Sequence, residues 1–313
     1  MTTKPQVLKP ADAEARDWID RAPARIQPYL RLMRLDRPIG TWLLFWPCVF
    51  GLTLGATAGD RSFSAPSDWW LVALFGAGSV VMRGAGCTYN DIIDRDIDAM
   101  VARTRDRPIP SGAVSPRDAW LFLAAQCFAG LLVLVQLNLF AIEIGAASLV
   151  LIALYPFMKR ITWWPQAWLG LTFNWGALLG FAAQTGAIDA GDMMLYAGLF
   201  FWTLGYDTIY AHQDKEDDAL IGVKSTARLL GERSRSWILG FYAAAFTLIL
   251  GAGFTEHAGW TFTLFMLAAG AHLLWQVRSL DIADPGKCLR LFRSNRETGA
   301  LVAAALLLST FSG

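Results

Sequence analysis

Two aspartate-rich segments end two long apolar runs, and their spacing gathers carboxylates rather than scattering them. The first reads Arg83-Gly-Ala-Gly-Cys-Thr-Tyr-Asn90-Asp91-Ile-Ile-Asp94-Arg-Asp-Ile-Asp98. In a continuing helix Asp91, Asp94 and Asp98 stand at i, i+3 and i+7 on one face. Asn90 and Arg83 lie on the same stripe. The second reads Tyr206-Asp207-Thr-Ile-Tyr210-Ala-His212-Gln-Asp214-Lys-Glu-Asp217-Asp218, which sets Asp207, Asp214 and Asp218 at i, i+7 and i+11 with Tyr210 beside them. Solvated charges have no need to share a face with an arginine inside an apolar run, and an ionisable residue at membrane depth marks function by default. Six converging carboxylates repel one another unless cations intervene. Hard oxygen ligands select Mg²⁺ or Ca²⁺, and Mg²⁺ held by one or two carboxylates completes its shell with phosphate oxygens. Basic residues follow each cluster: Arg103 and Arg107 after the first, Lys224 and Arg228 after the second, with Lys159 on an intervening connection. The chemistry these residues suit is binding a diphosphate through a divalent cation.

Other chemistries lack their residues. There is no GxxxxGK[ST] phosphate loop, no GxSxG and no HExxH. Cys48, Cys87, Cys127 and Cys288 form no CxxC, and three lie in apolar runs, so neither a disulfide framework nor a zinc site is expected. His212 adjoins the second cluster but falls outside its stripe; His257 and His272 read as structural or interfacial. Phe173 and Trp175 flank Asn174 in an apolar run, a candidate cavity wall, although much of the 13% aromatic content is ordinary interfacial belt.

The elements that must hold these residues are membrane helices. The chain of 313 residues is 55% hydrophobic and 17% charged, with a mean hydropathy of +0.38, which no soluble protein of this length needs. A formal net charge of +1 gives no overall basic excess for nucleic acid. Residues 1–37 are polar and carry eight basic residues before any apolar run, so they do not form a signal peptide. They read as a cytoplasmic segment, and Trp18 to Arg37 mixes apolar and basic residues as an interfacial helix would. Residues 38–313 read as a single domain of nine spans, near 38–58, 68–90, 119–137, 139–157, 165–183, 193–211, 237–254, 259–277 and 299–311. The stretch 119–157 would be about 58 Å long as one helix, against a hydrocarbon core of ~30 Å, so it must fold back near Gln136 to Asn138. Of 27 Lys and Arg, 25 fall in the N-terminal segment and alternate connections, leaving Arg61 on the other side and Arg83 inside a span. By the positive-inside rule the basic side, which carries both Asp-rich motifs, is cytoplasmic. Four spans separate the motifs, which returns the chain to that same side.

At these motifs the sequence resembles the UbiA superfamily of intramembrane prenyltransferases, most closely its 4-hydroxybenzoate polyprenyltransferase branch. The resemblance covers nearly all of the chain after residue 30. It is carried by Met33-Arg34-Leu-Asp-Arg37-Pro38-Ile39-Gly40-Thr41, by the run from Arg83 through Asp98 to Arg103-Thr-Arg-Asp-Arg107-Pro108-Ile-Pro-Ser111-Gly112, by Tyr155-Pro156-Phe-Met-Lys159-Arg160, and by Asp207 to Asp218 running into Gly222-Val-Lys224-Ser225-Thr226.

The resemblance implies an all-α polytopic fold of nine helices around a central cavity capped by the Asp-rich cytoplasmic loops. It implies Mg²⁺-dependent transfer of a polyprenyl chain from its diphosphate to the ring carbon ortho to the hydroxyl of 4-hydroxybenzoate, a step of ubiquinone synthesis. Asn90, Asp91, Asp94, Asp98, Asp207, Asp214 and Asp218 would hold Mg²⁺, and Arg107, Lys159 and Lys224 would clamp the leaving group, with Arg103 and Tyr210 alongside. A carboxylate of the second cluster would accept the proton. Arg34, Arg37 and Arg83 are alternative cations for the acceptor's carboxylate, and Asn174 is a candidate substrate contact. The implied partners are polyprenyl diphosphate, 4-hydroxybenzoate and the bilayer, without nucleic acid or an obligatory protein partner. The implied location is the bacterial cytoplasmic membrane, or the mitochondrial inner membrane in a eukaryote. Within the superfamily a haem, homogentisate, naphthoate or chlorophyllide acceptor is the alternative. Outside it, the alternative is a cation transporter, but transporters place such carboxylates near the bilayer midplane, whereas these sit at span ends beside Arg and Lys.

Overall fold

A computed structural model describes residues 18–100, 104–220 and 222–311; Arg103, a candidate phosphate contact, lies outside them. Regular structure among the described residues is entirely helical. After a short 3₁₀ turn at Trp18–Arg21 come α1 (Gln27–Leu32), α2 (Ile39–Ala58), α3 (Pro66–Asp98), α4 (Pro116–Leu134), α5 (Leu139–Ile161), α6 (Pro165–Thr185) and α7 (Ala190–Ala211). They are followed by α8 (Lys215–Leu220), α9 (Thr226–Leu230), α10 (Ser234–Thr255), α11 (Trp260–Ser279), α12 (Pro285–Arg293) and α13 (Asn295–Ser309). Among the described residues, six helical stretches are long and apolar enough to cross a membrane: Ile39–Ala58, Pro66–Asp98, Pro116–Leu134, Leu139–Ile161, Thr226–Thr255 and Trp260–Ser279.

Local sequence sets the helix ends. Proline opens α3, α4, α6 and α12, where its missing N–H costs nothing. The fold-back between α4 and α5 is at Asn138, whose side chain accepts from Ala141 N at 2.9 Å while its Nδ2 donates to Ala182 O at 2.8 Å. One residue thus caps α5 and fastens it to α6. Gly186 closes α6 in the left-handed conformation (φ +74°), its N–H reaching Ala182 O. The segment from Trp18 to Arg37 differs from expectation: it is two short helical pieces rather than one helix, with Pro23 in the break between them and Pro28 accommodated in the first turn of α1.

The chain divides into two compact units, residues 1–41 with 77–133, and residues 42–76 with 134–313. The first has an apolar core of Leu32, Ile92, Ile109, Val114 and Ala119, flanked by Tyr29, Phe122 and Leu123. In the second, α7 packs against α6, α10 and α12. Small residues let backbones touch there: a Cβ on Gly51 would lie 2.0 Å from Ala177 O, and one on Gly180 2.3 Å from Cys48 O. Several polar groups in this unit find one another. Trp202 Nε1 donates to Asn295 Oδ1 at 2.8 Å, Tyr242 Oη donates to Gln276 Oε1 at 2.7 Å, and His272 Nδ1 lies 2.8 Å from Thr298 Oγ1. Such a network offsets the cost of placing polar groups where water is absent. Outward-facing apolar side chains on α4 and α5, among them Leu121, Phe128, Leu131, Leu149 and Val150, suit contact with lipid.

Candidate active site

The first motif sits on α3. This helix runs unbroken for 33 residues to Asp98, about 50 Å, so it is longer than the ~30 Å hydrocarbon core. Helical spacing does what the sequence predicts: Asp91, Asp94 and Asp98 are all buried, whereas Arg95 and Asp96, off the stripe, are exposed and pair with each other at 3.3 Å. Thr104 Oγ1 donates to Asp98 O at 2.8 Å at the end of α3. Three residues on, Arg107 Nη1 donates to Asp98 Oδ2 at 2.6 Å and approaches Asp91 Oδ1 at 3.4 Å.

A second guanidinium reaches the motif from the N-terminal segment. Arg34 Nη2 donates to both Asp91 oxygens, at 2.7 and 2.9 Å, and Nη1 donates to Arg31 O at 3.1 Å. Arg34 takes φ +59°, a left-handed conformation that costs a residue with a side chain about 1–2 kcal/mol, and it is 8% exposed. Arg31 in turn pairs with Asp20 at 2.6 Å. Arg37 is paired with the adjacent Asp36, at 2.9 and 3.1 Å. Arg83 lies on the same stripe of α3, about two to four turns before the carboxylates; its Nη1 meets Cys87 Sγ, and its guanidinium lies over Gly40, where an added Cβ would be 2.3 Å from Nε.

The second motif departs from its expected geometry. The i, i+7, i+11 stripe requires one helix from Asp207 to Asp218, but α7 ends at Ala211 and α8 begins at Lys215. His212 and Asp214 account for the break. His212 is buried with its Nε2 2.9 Å from Ser234 Oγ, anchoring the end of α7 to the start of α10. Asp214 is the residue preceding α8, and its carbonyl accepts from Asp218 N at 2.8 Å. Aspartate is among the residues favoured at that position. Asp207, Asp214 and Asp218 are each partly exposed. Tyr210 lies tilted against Phe292 of α12, ring centroids 4.4 Å apart.

The basic residues around this motif brace its connections. Lys224 N donates to Lys159 O at 3.0 Å and Lys224 Nζ to Ile161 O at 3.1 Å, so the 222–225 loop is fastened to the end of α5. Arg228 donates to Asp218 O at 3.3 Å and to Val223 O, and lies over the Trp163 ring at 5.3 Å. Thr226 joins the same support through Gln166 Oε1 at 3.0 Å and Thr208 Oγ1 at 2.7 Å.

Two of the expected site residues have polar atoms held by neighbouring groups. Asp91, expected among the metal ligands, has both oxygens engaged by Arg34. Asn174, expected to touch substrate, is fully buried in the α6–α7 seam, where its Nδ2 donates to Gly170 O, Leu199 O and Thr203 Oγ1 at 2.8, 3.0 and 2.7 Å. Sequence reasoning missed Phe292, Gln166 and the role of Arg34 toward Asp91. The first two carry no motif, and the third joins residues 57 apart.

Asn90, Asp94 and Asp98 offer hard oxygens of the kind a divalent cation takes; among the described residues no group of three or more His, Cys, Asp or Glu is arranged to hold a metal.

Known proteins agree with this architecture. Residues 44–307 match the UbiA prenyltransferase family. The chain is 49% identical over 284 residues to the mitochondrial 4-hydroxybenzoate polyprenyltransferase of Aedes aegypti, covering 90% of this chain and 63% of that protein's length. It is 48% identical over 301 residues to the protein of the same name from Bos taurus, covering 96% of this chain and 80% of the relative. The apo structure of a UbiA homolog from Aeropyrum pernix K1 superposes with a TM-score of 0.70 at 27% identity, over 85% of this chain and 97% of that one. With the family's motifs on α3 and around the α7–α8 break, and the match running through most of its length, this chain belongs to the UbiA prenyltransferase family.

Proposed function

We propose that the protein transfers a polyprenyl chain from its diphosphate to the carbon ortho to the hydroxyl of 4-hydroxybenzoate, in ubiquinone synthesis. The observation that carries this reading is the buried carboxylate stripe of α3 with Arg107 laid across it, in a chain nearly half identical to relatives bearing that enzyme's name. Asn90, Asp94 and Asp98 of the first motif, and Asp207, Asp214 and Asp218 of the second, would each supply oxygen ligands to Mg²⁺. When bound, Mg²⁺ supplies positive charge to the diphosphate as the allylic C–O bond breaks.

Arg107, with Lys159 and Lys224, binds the departing diphosphate by charge-assisted hydrogen bonds, and Tyr210 lies beside the second motif. Arg83, an arginine at membrane depth on the same stripe as Asn90, binds the acceptor's carboxylate and so orients its ring. Attack of the ring on the allylic carbon leaves a proton on the substituted carbon, and a second-motif carboxylate takes it as the ring regains aromaticity. Apolar helices around the reaction keep water from trapping the allylic cation as a free prenol.

Nine spans with both motifs and the N-terminal segment on the cytoplasmic or matrix side satisfy the distribution of Lys and Arg. The membrane is the bacterial cytoplasmic membrane or the mitochondrial inner membrane. The test is prenyl transfer to labelled 4-hydroxybenzoate in membranes expressing the chain, with and without Mg²⁺, beside Asp94→Ala and Asp214→Ala. A Mg²⁺-dependent product absent from both variants is expected; diphosphate release without product would move the assignment to another acceptor.

A further inference from the structure

Arg34 adopts a backbone conformation unfavourable to it and directs its guanidinium onto a fully buried carboxylate. That carboxylate is Asp91, one turn from Asp94 on the same face of α3. The contact ends a continuous line of polar links from the segment before the first span: Asp20 to Arg31 at 2.6 Å, Arg31 O to Arg34 Nη1 at 3.1 Å, and Arg34 Nη2 to Asp91 at 2.7 and 2.9 Å. From Asp91 it passes to Arg107 at 3.4 Å and on to Asp98 at 2.6 Å. One apolar core has members next to the middle of this line. Leu32 lies two residues before Arg34, Ile92 follows Asp91, Ile109 lies two residues after Arg107, and all three belong to the same buried cluster.

We propose that Arg34 and Asp91 form a positioning pair, in which Asp91 holds no metal but, fixed by Arg34, sets Arg107 against Asp98 and so orients the first motif for the Mg²⁺–diphosphate. This rests on the function proposed above. Two guanidinium groups, Arg34 and Arg107, face Asp91, whereas Asp98 is paired with Arg107, and the second cation at Asp91 adds to the charge opposing the approach of a divalent ion there. The N-terminal segment is then part of the site's scaffold, and Arg34 acts on the reaction through Asp91 rather than by touching the acceptor.

The experiment uses the purified full chain in lipid nanodiscs with Mn²⁺ as spin probe. Bound Mn²⁺ is counted by electron paramagnetic resonance in the presence of a prenyl diphosphate, and steady-state prenyl transfer is measured in parallel. Asp91→Asn and Arg34→Gln are expected to bind the wild-type number of Mn²⁺ ions and to lower kcat about tenfold to a hundredfold, the usual cost of misorienting a site group. The double variant is expected to be no worse than either single one, and the acceptor's KM to stay constant. Arg34→Gly, which suits the left-handed backbone better than arginine, should behave as Arg34→Gln does and so trace the loss to the guanidinium rather than to the fold. Loss of Mn²⁺ in Asp91→Asn to the extent seen in Asp94→Asn would make Asp91 a ligand and overturn the proposal. A raised acceptor KM at constant kcat in Arg34→Gln would also overturn it, by assigning Arg34 to the acceptor. Failure of wild type itself to bind Mn²⁺ with the diphosphate would reject the underlying function, a result separate from either.

Discussion

Phe292 of α12 lies against Tyr210 of α7 with ring centroids 4.4 Å apart, and the same phenyl ring reaches Tyr206 at 5.8 Å. Tyr210 stands between Asp207 and Asp214, so a short helix distant in sequence supports the second motif from behind. The helix is built for this: Cys288, Leu291 and Phe292 are buried, while Arg290 is exposed. Phe292→Ala removes the support and opens a cavity, which in well-packed cores costs about 3–5 kcal/mol. A lower melting temperature and a raised KM for the prenyl diphosphate are expected, with Phe292→Leu retaining most of both. An unchanged KM beside a lowered melting temperature would confine Phe292 to stability.

Asn174 separates a structural role from a substrate role. Its amide donates to two carbonyls and a hydroxyl across the α6–α7 seam and has no exposed surface. Interhelical hydrogen bonds in membrane proteins contribute about 1 kcal/mol. Asn174→Ala is therefore expected to lower thermal stability modestly and to leave KM for both substrates unchanged. A raised KM at unchanged stability would return Asn174 to the binding site.

The contrast between the two motifs shows what the sequence could tell. The first was legible because α3 continues without a break, so helical spacing alone places Asp91, Asp94 and Asp98 together. The second stripe was over-read: periodicity assumes one helix, and Asp214 followed by Lys-Glu-Asp is equally the signature of a new helix start, which is what forms. The fold-back at Asn138 was legible from length, because a run of that extent exceeds the bilayer. The partner of Arg34 was not, since only tertiary packing decides which carboxylate a cation from a distant segment meets.

Gly40 leaves room for the Arg83 guanidinium, which lies where a side chain at position 40 would begin. Alanine is about 1 kcal/mol more favourable than glycine inside a helix, so Gly40→Ala should not weaken α2 by propensity. It should displace the end of Arg83 instead. If Arg83 binds the acceptor, Gly40→Ala raises the KM for 4-hydroxybenzoate as Arg83→Ala does, with the melting temperature and the KM for the prenyl diphosphate maintained. Equal KM values in wild type and Gly40→Ala would remove Arg83 from the acceptor site.

His212 makes stability depend on pH in a defined window. It lies just past the end of α7, buried, with Nε2 against Ser234 and no hydrogen-bond partner for Nδ1 among the described residues. Burial, aided by the nearby Lys215 charge, pushes its imidazole from the ordinary 6.5 down to about 4. Between those values the unfolded chain binds a proton that the folded chain refuses, so the unfolded state gains as pH falls. The His212 contribution to stability is therefore fully present above pH 6.5, declines as pH is lowered through the window, and levels off below about 4. Thermal melts across this range should fall more steeply for wild type than for His212→Gln, which keeps a hydrogen-bonding group for Ser234 but cannot take the proton. Because His212 ties α7 to α10 next to Asp214, the same acidification should loosen the second motif before the bundle unfolds. Activity should then be lost at a higher pH than the melting transition at the assay temperature. Parallel pH profiles for wild type and His212→Gln would show that the imidazole does not carry this dependence.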